Sequence, residues 1–191
     1  MEMIKDNREK ISDVAMALFA EKGYDAVGVQ LICEKAEVSK PTLYYYYESK
    51  AGILKEILRR NYERLNTLLE QQSRYIPNVK KYFEDVYPVL IRIANAYFDF
   101  ARNNRQFYAI AQSALFAPPE SELYSAVKEF NGTQYDIIEK MFKNMSRIHR
   151  NMTGHEKRQA WTFIGMINIY IILNQNPKTE DLVHQFMHGI F

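Results

Sequence analysis

The chain has 191 residues, of which 47% are hydrophobic and 25% charged, and its formal net charge is +2. This composition is typical of a globular protein and excludes low-complexity and collagen-like classes, while the balanced charge indicates neither a strongly basic nor a strongly acidic protein. The single Cys33 cannot form an internal disulfide, and residues 1–10 lack the apolar core of a secretion signal. The longest apolar stretch, residues 161–173, is shorter than the ~20 residues that a membrane-spanning helix needs. We therefore expect a cytoplasmic protein with no membrane partner.

Apolar residues recur with a 3.6-residue period, and the few glycines and prolines lie mostly between these segments, which predicts an all-α protein of about nine helices. The first helix is predicted to end near Lys22, because Gly23 favours the left-handed conformation that stops a helix. A short second helix follows over about residues 29–36. Ser39 is the predicted cap of a third helix of about two turns, with Pro41 in its first turn.

Ser49 caps a long fourth helix, predicted over about residues 50–75, up to the Ile76-Pro77 break. The coarse pattern predicts five further helices in the remainder of the chain. Gly132 follows an asparagine as a turn would, yet the apolar period continues across it, so we predict one helix there. Pro88 lies in another periodic stretch, where it either starts the helix or kinks it.

The second and third helices are separated by a three-residue turn, as in the helix-turn-helix unit that docks in the major groove of DNA. The spacing alone is a weak signal, because many helical bundles contain similar corners. The residue types favour DNA binding, since hydroxyl and ammonium groups bond phosphate oxygens and base edges. One short stretch is rich in such groups, which belong to Ser39, Lys40, Thr42, Tyr44, Tyr45, Tyr46 and Lys50.

The same segment carries a longer and more specific set of residues. They are Ile11, Ala15, Leu18, Phe19, Gly23, Tyr24, Val29, Ile32, the run from Val38 to Tyr47, Ser49, Lys50 and Leu54. Residues 11–54 thereby resemble the DNA-binding module of the TetR family of transcriptional regulators. The resemblance implies an N-terminal three-helix DNA-binding domain over residues 1–50, with the helix-turn-helix motif at about 28–47. It further implies a C-terminal helical ligand-binding and dimerisation domain over residues 51–191.

The resemblance also implies partners and site residues. The partners are double-stranded DNA with a palindromic operator, a small-molecule effector and a second copy of the chain. By position, the DNA-contacting residues are Gln30, Ser39, Lys40, Pro41, Thr42, Tyr44, Tyr45, Tyr46 and Lys50. Gln30 can pair bidentately with adenine, and Lys50 can bind a phosphate. For Tyr45, packing between the third and fourth helices is an equal alternative.

Three features depart from the usual family pattern. Glu37 stands in the turn where glycine is usual, so a non-glycine residue is expected in left-handed geometry, and Gly28 leaves the second helix weakly capped. Residues 1–50 contain seven Lys or Arg and nine Asp or Glu, which is unusual for a DNA-binding domain. Lys5, Arg8 and Lys10 are further candidate phosphate partners. We therefore predict few phosphate contacts and a shallow salt dependence of DNA binding.

Residues 161–173 are apolar on all faces, so burial is expected on all sides, and the helix that follows also has an apolar stripe. The two helices resemble the family's dimer interface, a four-helix bundle formed with the same pair from a partner. The alternative is two ordinary core helices of a monomer. The predicted interface residues are Trp161, Ile164, Gly165, Ile172, Leu182, Val183, Phe186, Met187 and Ile190.

Aromatic residues are dense between positions 82 and 142, which indicates an aromatic cavity for a small hydrophobic or aromatic effector. Polar residues among them are candidates to orient the ligand, because buried polar groups need partners. The predicted pocket residues are Tyr87, Arg92, Asn95, Phe98, Phe107, Tyr108, Gln112, Phe116, Phe130, Asn131, Tyr135, Trp161 and Asn168.

Other chemistry is weakly indicated. His184 and His188 have a spacing that recurs in zinc sites, but no third ligand is evident, so we predict no metal and no cofactor. No nucleophile, phosphate-loop or acid-base motif supports an enzyme. We predict a ligand-responsive transcriptional regulator, with repression favoured over activation. The alternative is a helical small-molecule-binding or protein-interaction module that does not bind DNA, which would have no reason to expose the tyrosine and lysine set together.

Overall fold

The computed structural model describes residues 6–76, 81–173 and 178–189. Within these ranges the regular elements are all helical, which confirms the predicted all-α class. The α-helices are α1 (Asn7–Lys22), α2 (Val29–Ala36), α3 (Lys40–Tyr47), α4 (Lys50–Gln72), α5 (Tyr82–Asn103), α6 (Arg105–Ser113), α7 (Glu122–Ser146), α8 (Glu156–Ile172) and α9 (Thr179–His188). Two short 3₁₀ helices cover Ala114–Phe116 and Arg150–Met152. None of the helices in the described ranges is long and apolar enough to cross a membrane.

The ends of the N-terminal helices are formed by the predicted residues. Gly23 ends α1 with a φ of 82°. The Ser39 hydroxyl accepts a hydrogen bond from the Thr42 backbone N–H at 3.2 Å, and the Ser49 hydroxyl accepts one from the Gly52 N–H at 3.0 Å. These bonds satisfy N–H groups that the first turn of a helix leaves without intrahelical partners.

The turn between α2 and α3 has the predicted strain. Glu37 adopts left-handed geometry, with φ 52° and ψ 43°, and α2 has no side-chain cap because Gly28 precedes it. Another non-glycine residue with a positive φ, Glu48 at 59°, lies between α3 and α4. The sequence analysis missed this position because it holds a glutamate, whereas a positive φ is usually marked by glycine or asparagine.

Two ambiguities in the longer helices are resolved. α7 is continuous through Gly132, as predicted. α5 begins at Tyr82, so Pro88 lies inside the helix and does not start it. A proline there removes the backbone donor that would bond the carbonyl of Glu84. The fourth helix ends at Gln72, slightly before its predicted end.

The contacts of the chain divide it into two compact units. The first consists of Met1–Tyr62 with Asn104–Phe130, and the second of Glu63–Asn103 with Asn131–Phe191. In the first unit α1 packs against α2, α3 and α6, and in the second α5 packs against α8 and α9. The domain boundary after residue 50 stays a prediction.

Candidate nucleic-acid interface and effector site

One face of α3 is held in the core of the first unit and the other is open. Leu43 is fully buried, and the Tyr47 hydroxyl donates a 2.7 Å hydrogen bond to the backbone oxygen of Arg8 in α1. Tyr44 is 46% exposed and Tyr45 81% exposed on the opposite face. The buried pair fixes the rotation of the helix about its own axis, so the exposed tyrosines have a defined direction.

The predicted DNA-contacting residues all lie in the first unit, and each is at least partly exposed. The exposed ones are Gln30, Ser39, Lys40, Pro41, Tyr44 and Tyr45, and the half-buried ones are Thr42, Tyr46 and Lys50. The exposure of Tyr45 excludes the alternative that it fills the seam between α3 and α4. Its ring meets that of Tyr46 edge to face, with 5.1 Å between the centroids. Gln30 donates to the Glu34 carboxylate at 3.0 Å, a surface bond that bound DNA would have to replace.

Lys50, the predicted phosphate anchor, is held by Tyr24. Its Nζ donates to the Tyr24 backbone oxygen at 3.1 Å and lies 4.1 Å from the centroid of the Tyr24 ring. The Tyr24 hydroxyl donates to the Glu122 carboxylate at 2.6 Å. Burial raises the pKa of Tyr24, and Glu122 raises it further, so the hydroxyl keeps its proton. The sequence analysis missed Glu122, because it is 98 residues from Tyr24 and no local pattern connects them.

The other candidate phosphate partners have acidic neighbours. The Arg8 guanidinium lies 3.4 Å from the Glu56 carboxylate, and Lys10 Nζ lies 2.8 Å from that of Glu37. Lys10 lowers the pKa of the Glu37 carboxyl through this hydrogen bond and its charge. Lys5 lies outside the described residues. Both described cations would have to exchange a carboxylate for a phosphate when DNA binds, which is consistent with the shallow salt dependence that we predict.

A cavity of about 650 Å³ lies in the second unit. Its walls come from α5, α7, α8, α9 and the Arg150–Met152 turn. Its apolar walls are formed by Val86, Leu90, Phe142, Met166, Phe186 and Met187. The size is within the range that small-molecule sites occupy. None of the predicted pocket residues lines it, so those residues stay a separate prediction.

Several predicted pocket residues have other contacts. The Arg92 guanidinium donates to the backbone oxygens of Gln72 and Arg74, at 3.2 and 3.0 Å, and thereby holds the C-terminal end of α4. Asn95 accepts a 2.6 Å hydrogen bond from Thr179. Phe116 is 84% exposed. The buried members are Phe98, Phe107 and Tyr108. Partly exposed members are Tyr87, Gln112, Phe130, Asn131, Tyr135 and Asn168.

The residues of the predicted dimer interface differ in their exposure to solvent. Trp161, Gly165 and Ile172 are exposed on α8. Ile164, Leu182 and Val183 are buried in the second unit and have no surface to offer a partner. Phe186 and Met187 are half-buried and line the cavity, and Ile190 lies outside the described residues. Two exposed apolar residues that the prediction did not include, Ile169 and Leu173, extend the surface of α8.

A buried polar pair was not predicted. In the second unit His149 Nε2 lies 2.6 Å from Oδ2 of Asp85, and both side chains are more than nine-tenths buried. The Tyr75 hydroxyl donates to the same carboxylate oxygen. Burial and this hydrogen bond raise the pKa of Tyr75. Among the described residues no group of three or more potential metal ligands occurs, and the His184 and His188 rings lie side by side with 4.4 Å between centroids.

Known proteins resemble this chain in both sequence and fold. Residues 11–57 match the model of bacterial regulatory proteins of the tetR family. The uncharacterized HTH-type transcriptional regulator YvkB of Bacillus subtilis is 24% identical over 171 residues, which are 88% of this chain and 83% of that protein. The negative transcriptional regulator IcaR of the Staphylococcus aureus biofilm operon icaADBC is 28% identical, over 73% of this chain and 66% of that protein. The structure of the transcriptional regulator FadR from Bacillus subtilis, in complex with stearoyl-CoA, has a TM-score of 0.74 and 16% identity, covering 96% of this chain and 99% of that one.

Proposed function

We propose that this chain, which belongs to the TetR family of bacterial regulatory proteins, is a transcriptional repressor. It dissociates from its DNA operator when a small effector binds. The observation that carries the proposal is the open face of α3. Lys40, Tyr44 and Tyr45 are exposed on this helix, although a core helix would have no use for such polar groups. IcaR, a relative, is itself a negative transcriptional regulator, which supports repression.

In this proposal α3 enters the major groove, and the contacts made by α2, α3 and the start of α4 have two kinds of role. Gln30 and Tyr44 contact base edges, where an amide pairs with adenine and a ring packs on a thymine methyl. Lys50 contacts a phosphate, which positions the module without reading sequence. The Tyr24 carbonyl and ring hold the Lys50 ammonium in place before DNA arrives, so less side-chain freedom is lost on binding.

The form of the protein that binds DNA is a homodimer, and its operator is palindromic. Two recognition helices must be about 34 to 36 Å apart to enter successive major grooves, so one protomer alone reads half a site. The exposed apolar residues of α8, Ile169, Ile172 and Leu173 among them, provide the surface that a partner would cover. Sedimentation should therefore give a dimer for the wild type and a monomer for Ile172→Glu. Ile148→Glu, at another exposed isoleucine, should remain a dimer, and a monomeric wild type would contradict the proposed assembly.

The effector favours a conformation of the dimer in which the separation of the two helix-turn-helix motifs does not match successive major grooves. α4 runs without a break from Lys50, at the proposed DNA surface, to Gln72, whose carbonyl is bonded by Arg92 of α5. A ligand that shifts α5 would thus shift the end of a helix whose start contacts DNA. The complex of FadR with stearoyl-CoA supports a hydrophobic effector for a protein of this fold.

The test is selection of bound DNA from a random duplex pool at a stated salt concentration. The wild type should enrich a palindromic consensus, and the Tyr44→Ala, Lys50→Ala double variant should lose it. Lys140→Ala, which removes an exposed lysine of α7, is the matched control and should enrich the same sequence. If a folded wild-type dimer enriches nothing, the chain is instead a ligand-binding module without DNA.

The single variants separate the two kinds of contact. Lys50→Ala should weaken binding to every DNA sequence by a similar factor, whereas Gln30→Ala should change the preference between sequences. A uniform loss in Gln30→Ala would overturn its role in base recognition. For the wild type, the slope of log affinity against log salt should be shallow, and a slope near about −10 would contradict the prediction of few phosphate contacts.

A further inference from the structure

We infer that the cavity of the second unit binds an amphipathic monocarboxylate, a molecule with one anionic head and an apolar body. The binding itself can be measured without DNA. Only its consequence, release of an operator, rests on the proposed function. The inference comes from the side chains that line the cavity, none of which belongs to the pocket predicted from sequence.

The apolar part of the cavity suits an alkyl or aryl body. Phe186 packs against Phe163 and Phe142, with ring centroids 4.8 and 6.0 Å away, so one wall is a fixed aromatic surface. Met166 and Met187 supply flexible thioether side chains that can adapt to the outline of a ligand. An aromatic wall beside methionines favours an apolar ligand without selecting a single shape.

The polar part of the cavity has a positive charge and no negative one among the described residues. Arg158 lines it together with His155, Asn151 and Gln159, and its guanidinium is hydrogen-bonded to Nδ1 of His155. No aspartate or glutamate is among the lining residues in the described part of the chain. Because a guanidinium matches a carboxylate bidentately, this end favours an anionic head.

The start of α8 does not provide a second anion site. Glu156 lies in the first turn of α8, and hydrogen bonding to its own backbone lowers the pKa of its carboxyl, so a carboxylate of the chain itself already provides the negative charge at this helix end. Arg158 is therefore the group left to bind an anion at this end of the cavity. One guanidinium suits one carboxylate, whereas the phosphates of a coenzyme A thioester would need several cations. The inferred ligand thus differs from the stearoyl-CoA of the FadR complex.

Gln159 adds a requirement on the ligand. Its side chain lines the cavity, and its Oε1 atom is buried and has no hydrogen-bond partner among the described residues. A buried acceptor without a donor costs free energy, so a ligand whose hydroxyl or amide N–H meets the Gln159 amide after a rotation of that side chain gains affinity. The preferred ligand is therefore a carboxylate with such a donor close to its head.

Trp161 provides the measurement. It is the single tryptophan of the chain and lies on α8 next to Thr162, which lines the cavity. Its fluorescence, checked by calorimetry, would report binding of decanoate, 3-hydroxydecanoate, decan-1-ol and decanoyl-CoA, each below its micellar concentration. We expect 3-hydroxydecanoate to bind most tightly, decanoate next, and the alcohol and the thioester at least about tenfold more weakly than decanoate.

Two variants and a matched control test the residue assignments. Arg158→Gln should weaken decanoate binding at least about tenfold and leave decan-1-ol unchanged. Lys157→Gln removes a positive charge one position earlier that does not line the cavity, and calorimetry should show that it binds decanoate like the wild type. Calorimetry is needed for this variant because Lys157 Nζ lies 5.1 Å from the centroid of the Trp161 ring and its loss changes the fluorescence. Gln159→Met should abolish the preference for 3-hydroxydecanoate over decanoate.

The contrary outcomes are equally definite. No binding of any probe, equal binding of decanoate and decan-1-ol, tighter binding of decanoyl-CoA, or equal effects of Arg158→Gln and Lys157→Gln would overturn the inference. Binding of decanoate by a protein that selects no DNA would refute the proposed function and leave the cavity assignment standing. If the protein binds an operator but no probe changes the Trp161 fluorescence or releases heat, the cavity assignment is refuted and the proposed function stands.

Discussion

Gly52 and Gly132 are both helical glycines, yet the structure predicts opposite effects for their replacement by alanine. A Cβ on Gly52 would lie 2.1 Å from the backbone oxygen of Tyr47. A Cβ on Gly132 would have no heavy atom within 4 Å. The first substitution therefore forces two backbones apart at the junction of α3 and α4, while the second adds a good helix former to an open position in α7.

The magnitudes follow from the geometry. An ordinary contact needs at least about 3.4 Å, so the Tyr47 carbonyl must move by more than 1 Å, and Tyr47 is anchored by its buried ring and its bond to Arg8. Overpacking of this kind costs about 1–3 kcal/mol. Alanine is favoured over glycine inside a helix by about 0.8–1.0 kcal/mol, so Gly132→Ala should be stabilising. Because both glycines are helical and share the gain in helix propensity, we expect the two variants to differ by the overpacking cost of about 1–3 kcal/mol in free energy of unfolding.

Urea denaturation at a fixed protein concentration is the appropriate assay, because the stability of the proposed dimer would depend on protein concentration. In thermal unfolding, a change of 1 kcal/mol in stability shifts the melting temperature of a chain of this length by about 2–4 °C. Gly132→Ala should therefore melt a few degrees above the wild type, and Gly52→Ala should melt below it. Gly52→Ala should also weaken DNA binding, since the displaced residue belongs to α3. A Gly52→Ala protein as stable as Gly132→Ala would refute this account of the α3–α4 junction.

Three further predictions concern other positions. Glu37→Gly should raise the melting temperature, because relief of the left-handed φ of 52° outweighs loss of the exposed ion pair with Lys10; an unchanged or lower value would remove the claim. Tyr24→Phe should reduce the loss of stability above about pH 10. Burial raises the pKa of Tyr24, so the unfolded chain releases the phenol proton at lower pH than the folded one and stability falls as pH rises; parallel urea midpoints between pH 9 and 11 would contradict this. His149→Ala should lower the free energy of unfolding by about 2–3 kcal/mol, because Asp85 loses a buried hydrogen-bond partner, and a smaller change in calorimetry would show that the carboxylate finds another donor.

The DNA-binding part of the chain could be predicted largely from sequence, because its features are local. The caps at Ser39 and Ser49, the stop at Gly23 and the strained turn at Glu37 each depend on residues within a few positions. The exposure of Tyr44 and Tyr45 follows from the helical period together with the buried Leu43. Local hydrogen bonding and side-chain period depend on residues that are close in sequence, so the sequence specifies them directly.

The tertiary structure alone decided the features that join distant segments. Glu122 reaches Tyr24 across 98 residues, and the cavity gathers side chains from four helices and a turn. The apolar residues of α8 and α9 have the same period whether they face a core or a partner, so only packing could assign Ile164 to the core and Ile172 to the surface. Periodicity shows which residues share a face of a helix, whereas burial depends on which other helix that face meets.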